Sequence, residues 1–265
     1  MKAVVFDNSG TLLKRYRTLK NVNKNEICDY MNSIDIVDAK PNRALVIFQA
    51  NHKFLSKANP KESIYNFIIK NDLKCNLSYT NDSEFKEEDI LNTLKNDNTG
   101  IMKEIQESIV AIKSKLDNIH ICSGSGFIMN TKTGKVEFTI TAGGKLFPEV
   151  KDLINNLKKR KIDIYIASGD NNESLMQLGE LLGIPKNHVC GTANSKRKES
   201  IVKKLKNKYE KVMMVGNASN DILALKVADV GVLTTQQDEG ELSFELLDSA
   251  DIIINNINEI NDIDF

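Results

Sequence analysis

Four short segments carry the residues whose types could do chemistry. Asp7 follows the apolar run Ala3 to Phe6 and opens Asp7-Asn8-Ser9-Gly10-Thr11. A carboxylate directly after an apolar strand can project from a sheet edge. Gly10 permits a tight turn and Thr11 adds a hydroxyl. Read alone, the same segment is also an ordinary polar loop with a turn glycine. Ser168-Gly169-Asp170 follows Ile162 to Ala167; its hydroxyl suits an anionic oxygen, or simply caps the next helix. Lys198 falls early in a helix read over Glu199 to Tyr209 and can neutralise a phosphate. It can equally lie on a solvated face, since Lys196, Arg197, Lys203 and Lys204 surround it. Gly216-Asn217-Ala218-Ser219-Asn220-Asp221 follows the apolar run Val212 to Val215. Its carboxylate and amides suit a hard cation that takes oxygen ligands, or cap a helix. The four together say more than each alone. All fall at the carboxyl ends of apolar strands or in the turns that follow, in one order.

The elements that must position them form an α/β pattern. From about Gly143 the chain alternates apolar strands with amphipathic helices. Helical spacing runs over Phe147 to Lys161 through Val150, Leu153, Ile154 and Leu157, then over Glu173 to Leu182, Glu199 to Tyr209 and Asn220 to Val227. Strands are read at Ile162 to Ala167, His188 to Thr192, Val212 to Val215, Val230 to Leu233 and Ile252 to Ile254. Such alternation implies a parallel sheet covered on both faces, with ligands gathering at the carboxyl ends of its strands. The strand Ala3 to Phe6 belongs with that set, yet some 130 residues separate it from the next βα unit. The expected organisation is a core of residues 1–13 and 143–265, with 14–142 as an inserted α+β cap. The insert is read as a strand at Ala44 to Phe48, helices near Glu62 to Ile69, Glu87 to Leu94 and Met102 to Lys113, and a hairpin turning through Asn130 to Gly134.

In this order the four segments resemble the four motifs of the haloacid dehalogenase (HAD) superfamily. Asp7-Asn8-Ser9-Gly10-Thr11 is similar to the Asp-Lys-Thr-Gly-Thr phosphorylation loop of P-type ATPases. Ser168-Gly169-Asp170 is similar to their Thr-Gly-Asp. The run Gly216 to Asp221 is similar to their Gly-Asp-Gly-Val-Asn-Asp, and the Ala-Leu-Lys-x-Ala-Asp run at Ala224 to Asp229 continues it. Among members of the superfamily, the likeness points to soluble archaeal P-type-ATPase-like proteins. The resemblance covers residues 1–12 and about 143–255.

The resemblance implies a HAD-type Rossmann-like core and a Mg2+-dependent phosphatase. Asp7 would attack phosphorus in line and carry the phosphoryl group. Mg2+ would be held by Asp7, the Ser9 carbonyl, Asn217 and Asp221. Asn8, Thr11, Ser168, Gly169 and Lys198 would surround the phosphoryl oxygens, with Lys198 also counted as catalytic. Two positions depart from the family. Ser9 stands where HAD phosphatases carry a second Asp as general acid and base. That work is worth ~10²–10⁴-fold, so slow turnover or a long-lived aspartyl phosphate is expected. Asn217 stands where the family carries an Mg2+-binding Asp, which removes a charge from the metal site. Three functions are therefore open: a phosphohydrolase or phosphotransferase, a phosphoryl-accepting switch, and a non-catalytic binding protein on the same fold.

Composition narrows the partners. Lys+Arg and Asp+Glu balance at 36 each, so no overall field favours nucleic acid or an anionic membrane. The expected partner is a small phosphorylated substrate or a nucleotide. Cys28, Cys75, Cys122 and Cys190 lie far apart, which suits reduced thiols rather than a disulfide or zinc framework. His52, His120 and His188 are isolated. No apolar run reaches ~18 residues, and Met1-Lys2 leads straight into a strand without a leader pattern; the expectation is a cytoplasmic protein. Ser123-Gly124-Ser125-Gly126 lacks the context of a nucleotide-binding loop and reads as a turn.

Overall fold

A computed structural model describes residues 1–28, 33–79, 87–115, 121–170, 172–237 and 242–265. His120 lies outside them. The chain divides into two compact units, Met1–Arg15 with Gly144–Phe265, and Tyr16–Gly143.

The first unit is built on a six-stranded sheet. Its strand order is Ile252–Ile254, Val230–Thr234, Lys211–Gly216, Lys2–Phe6, Asp163–Ala167, Val189–Cys190, and every pairing is parallel. Lys2–Phe6 lies at the centre. Ala3, Val4, Val5 and Phe6 are all 0% exposed, as expected of a strand covered on both faces. The chain that follows builds the sheet outward on one side and then on the other. The central strand is thus where strand order reverses, and a crevice opens beyond its carboxyl end. Helices Val150–Lys159, Asn172–Leu182, Ser195–Lys206 and Ile222–Val227 connect the strands. The first buries Val150, Leu153, Ile154 and Leu157, the stripe read from its spacing.

Among the boundaries that differ from the reading of the sequence, two bear on the site. The helix expected over Glu199 to Tyr209 begins at Ser195, because Asn194 caps it: the Asn194 side chain accepts from the Arg197 N–H at 3.0 Å. This shift places Lys198 in the first turn. The strand expected over His188 to Thr192 shrinks to Val189–Cys190, because a short 3₁₀ turn covers Lys186–His188.

The second unit holds another six-stranded sheet, ordered Glu26–Cys28, Leu13–Asn21, Val136–Leu146, Ile121–Asn130, Arg43–Phe48, Cys75–Tyr79. Arg43–Phe48 pairs antiparallel with both of its neighbours. Ile64–Lys70, Glu87–Leu94 and Met102–Lys115 are its main helices. The hairpin turn at Asn130 to Gly134 is present: Gly134 takes φ +73° and its N–H donates to the Asn130 carbonyl at 2.8 Å. Three strands went unread: Leu13–Asn21, Glu26–Cys28 and Cys75–Tyr79. The first is rich in basic residues and shows no alternation. Its Lys20 is nevertheless buried, because Glu104 lies 2.6 Å from the ammonium and Glu107 also pairs with it. Among the described residues no helix is long and apolar enough to cross a membrane.

Candidate active site

The loop after the central strand is held tightly. The Asp7 N–H donates to the Val215 carbonyl at 2.8 Å, and the Asn8 carbonyl accepts from Thr11, Leu12 and Leu13. Gly10 takes φ +92° within this bend. A Cβ there would stand 2.2 Å from the Asn217 amide nitrogen. Only glycine therefore lets the Asp7 loop and the Asn217 loop approach this closely.

Lys198 closes the floor. Its ammonium donates to Asp7 Oδ1 at 2.6 Å and to Asp221 Oδ1 at 2.7 Å. The three side chains are 0%, 6% and 0% exposed. The lysine that could have been one of several solvated cations is thus the buried one. Burial and the Asp221 charge push the Asp7 carboxyl up to about 7, against the opposing pull of Lys198. Burial opposes the Lys198 charge, but Asp7 and Asp221 outweigh it and hold the ammonium above its ordinary range.

Asp170 gathers the other side. Its Oδ2 accepts from the Asn8 amide at 2.7 Å, the Ser168 hydroxyl at 2.9 Å and the Ser9 hydroxyl at 3.3 Å. The turn carrying it is tied to the next loop: Thr192 N–H donates to the Asp170 carbonyl and Ala193 N–H to the Ser168 carbonyl, both at 2.8 Å. Asp7, Ser9, Arg15, Ser168, Gly169, Asp170, Asn217, Ala218 and Asn220 line one cleft of about 130 Å³.

Five expected site residues line this cleft in the first unit: Asp7, Ser9, Ser168, Gly169 and Asn217. Lys198 meets it through Asp7. Three more expected residues lie beside these, each hydrogen-bonded within the protein. Asp221, expected as a metal ligand, has both oxygens engaged: Oδ2 accepts from the N–H groups of Asn217 at 3.0 Å and Ala218 at 3.1 Å, and Oδ1 from Lys198. It shapes the loop that carries Asn217. Thr11, expected at the phosphoryl oxygens, is fully buried and donates to Asn217 Oδ1 at 3.3 Å. Asn8, expected there too, is fully buried against Asp170. Asp170, Arg15 and Asn220 were missed as site residues. Asp170 carried a signal, since it completes the Ser168-Gly169-Asp170 motif; Arg15 carried none.

A divalent cation fits the donors present. Among the described residues no three His, Cys, Asp or Glu side chains converge as a metal cluster. Mg2+ needs less, since it is commonly held by one or two carboxylates together with substrate phosphate and water. The cleft offers the Asp7 carboxylate beside Ser9 and Asn217, all bearing hard oxygen donors.

Comparisons with known proteins identify the family. A family model described as haloacid dehalogenase-like hydrolase matches residues 1–229. The chain belongs to the haloacid dehalogenase-like hydrolases. It is 35% identical over 262 residues to a soluble P-type ATPase-like phosphatase of Methanocaldococcus jannaschii, covering 98% of this chain and 92% of that one. As a HAD hydrolase it is an enzyme, and the expected class, a HAD phosphatase, agrees with that relative's name. A shorter match, 31% identical over 93 residues, reaches a probable copper-importing P-type ATPase A of Enterococcus hirae and spans 13% of that pump. Among solved structures, the catalytic domain of the CPx-ATPase CopB-B aligns with a TM-score of 0.50 at 17% identity. That alignment covers 98% of this chain and 87% of the other, and it supports the HAD-type fold.

Proposed function

We propose that this HAD hydrolase is a Mg2+-dependent phosphohydrolase acting through an aspartyl phosphate on Asp7, with slow release of phosphate. One observation carries the reading: Asp7 directly follows the central strand at the switch point, buried against Lys198 and facing a small polar cleft. Asp7 attacks phosphorus, the bond to the leaving oxygen breaks, and the leaving group departs with a proton from solvent. Water then attacks the phosphorus of the acyl phosphate, which frees inorganic phosphate and restores Asp7. Lys198 offsets negative charge on the transferring group, and Ser168 and Gly169 orient its oxygens. Mg2+, held by Asp7, the Ser9 carbonyl and Asn217, supplies further charge neutralisation when bound. Asn8, Thr11, Asp170 and Asp221 hold these groups in place. Residues 14–142 are assigned as the cap that selects a small phosphorylated compound or nucleotide.

Ser9 also favours a second reading, in which phosphorylated Asp7 persists as a switch, because a serine cannot activate water near neutral pH. Both readings are tested by supplying acetyl phosphate or ATP with Mg2+ and following phosphate release. Release is expected to be slow and to vanish in Asp7→Asn. Equal release by the variant would overturn the assignment.

A further inference from the structure

A second cavity in the first unit has no part in the proposed chemistry. It measures about 340 Å³ and is lined by Tyr165, Asn187, His188, Cys190, Arg197, Ser200, Ile201, Lys204, Leu205 and Lys208. That volume is in the range of small-molecule sites and exceeds the 130 Å³ of the Asp7 cleft. Its charge is one-sided. Three cations line it and no carboxylate does, although the whole chain balances 36 against 36. Neighbouring lysines on the same helix are paired: Lys203 with Glu199 and Lys206 with Asp229. Among the described residues, Lys204 and Lys208 have no carboxylate partner.

The remaining wall is preformed. Tyr165 and His188 stack with ring centroids 3.9 Å apart. The Tyr165 hydroxyl is fixed on Tyr209, which donates to Asp163, and His188 Nδ1 is fixed on the Ile164 carbonyl. Ile201, Leu205 and Cys190 add an apolar strip. A rigid aromatic and aliphatic wall facing three cations suits a compact anion with a carbon body.

We propose that this groove binds a small organic phosphate carrying two or more negative charges, at a site separate from the Asp7 cleft. The site would sense the same class of compound as the enzyme handles while taking no part in turnover. Its position allows communication. Arg197 precedes Lys198 on the Ser195–Lys206 helix and donates to Thr192 Oγ1 at 3.1 Å. Thr192 in turn holds the Asp170 turn through its N–H. An anion on Arg197 therefore pulls on a residue joined to both sides of the catalytic cleft. A concave groove of this size favours a small molecule over a nucleic-acid strand, which would need a longer track of cations.

The test uses the whole protein without Mg2+. Pyrophosphate and AMP serve as probes, followed by calorimetry and amide chemical shifts, in wild type, Asp7→Asn and Lys204→Glu/Lys208→Glu. The expected result is saturable binding of at least one probe, with shifts centred on residues 187–208, unaltered by Asp7→Asn. The double variant is expected to bind about tenfold more weakly or worse, a loss of about 1.4 kcal/mol or more, with its uncomplexed turnover unchanged. Shifts confined to Gly10, Ser168 and Asn217, equal binding by the double variant, or no binding of either probe would overturn the proposal. Tighter binding of a short single-stranded RNA than of either probe would do the same. Asp7→Asn separates this from the catalytic reading, since loss of turnover there leaves the groove intact.

Discussion

Asp7 is held by two opposed influences. Lys198 draws its charge out, while burial and Asp221 resist it, and the balance leaves the carboxyl raised from 3.8 to about 7. On the proposed mechanism, a cation bound beside Asp7 would favour its charged form, which would couple metal binding to activation. The same shift makes a stability prediction. Between roughly pH 4 and 7 the folded protein holds a proton on Asp7 that the unfolded chain has lost. This group's contribution is complete below the unfolded value and drains away as pH rises through the folded one. Asp7→Asn removes that ionisation. In metal-free protein, wild type is expected to lose melting temperature relative to Asp7→Asn as pH rises from about 4 to about 8. A difference between the two that stays constant over that range would show that Asp7 is not perturbed.

At the scale of elements, three loops and one helix start make the site. The Asp7 loop and the Asn217 loop meet at Gly10, where a Cβ would strike the Asn217 amide at 2.2 Å and φ is +92°. Gly10→Ala is expected to cost about 1–3 kcal/mol in urea unfolding. It is also expected to raise the Mg2+ concentration needed for half-maximal turnover, because Asn217 must move. Unchanged metal dependence would remove Asn217 from the site. Much of this was legible beforehand. Apolar runs ending in Asp7, Ser168 and Asn217 marked strand ends, and their order pointed to one cleft. Lys198 is singled out only through the family resemblance, because spacing alone does not show which side chains on a helix start aim inward. Lys198 resembles its lysine neighbours until Asn194 fixes where the helix begins. Nor does the sequence show that Asp221 accepts from Lys198 and two backbone N–H groups, or that Thr11 donates to Asn217.

At the scale of the molecule, each unit carries its own core. In Tyr16–Gly143, one buried cluster joins Phe48, Leu55, Ile64, Phe67, Ile105 and Phe127, and another joins Leu19, Ile36, Phe138 and Ile140. A unit with such a core satisfies the requirement for independent folding. The excised segment 16–143 is therefore expected to unfold cooperatively in urea, and a gradual, non-cooperative loss of secondary structure would contradict it. Strands here were hard to read because charged residues occupy sheet positions, as Lys20 does through its buried pairing with Glu104. The parallel core was easier, since strands covered on both faces are continuously apolar.

The central claim is that Asp7 itself takes the phosphoryl group. The most direct measurement supplies phosphate-labelled acetyl phosphate and Mg2+, quenches in acid, and maps the labelled peptide by mass spectrometry. The account predicts a hydroxylamine-sensitive label on Asp7 that decays slowly in wild type and is missing in Asp7→Asn. Label on another residue, or phosphate release with no acyl phosphate trapped on any time scale, would contradict it.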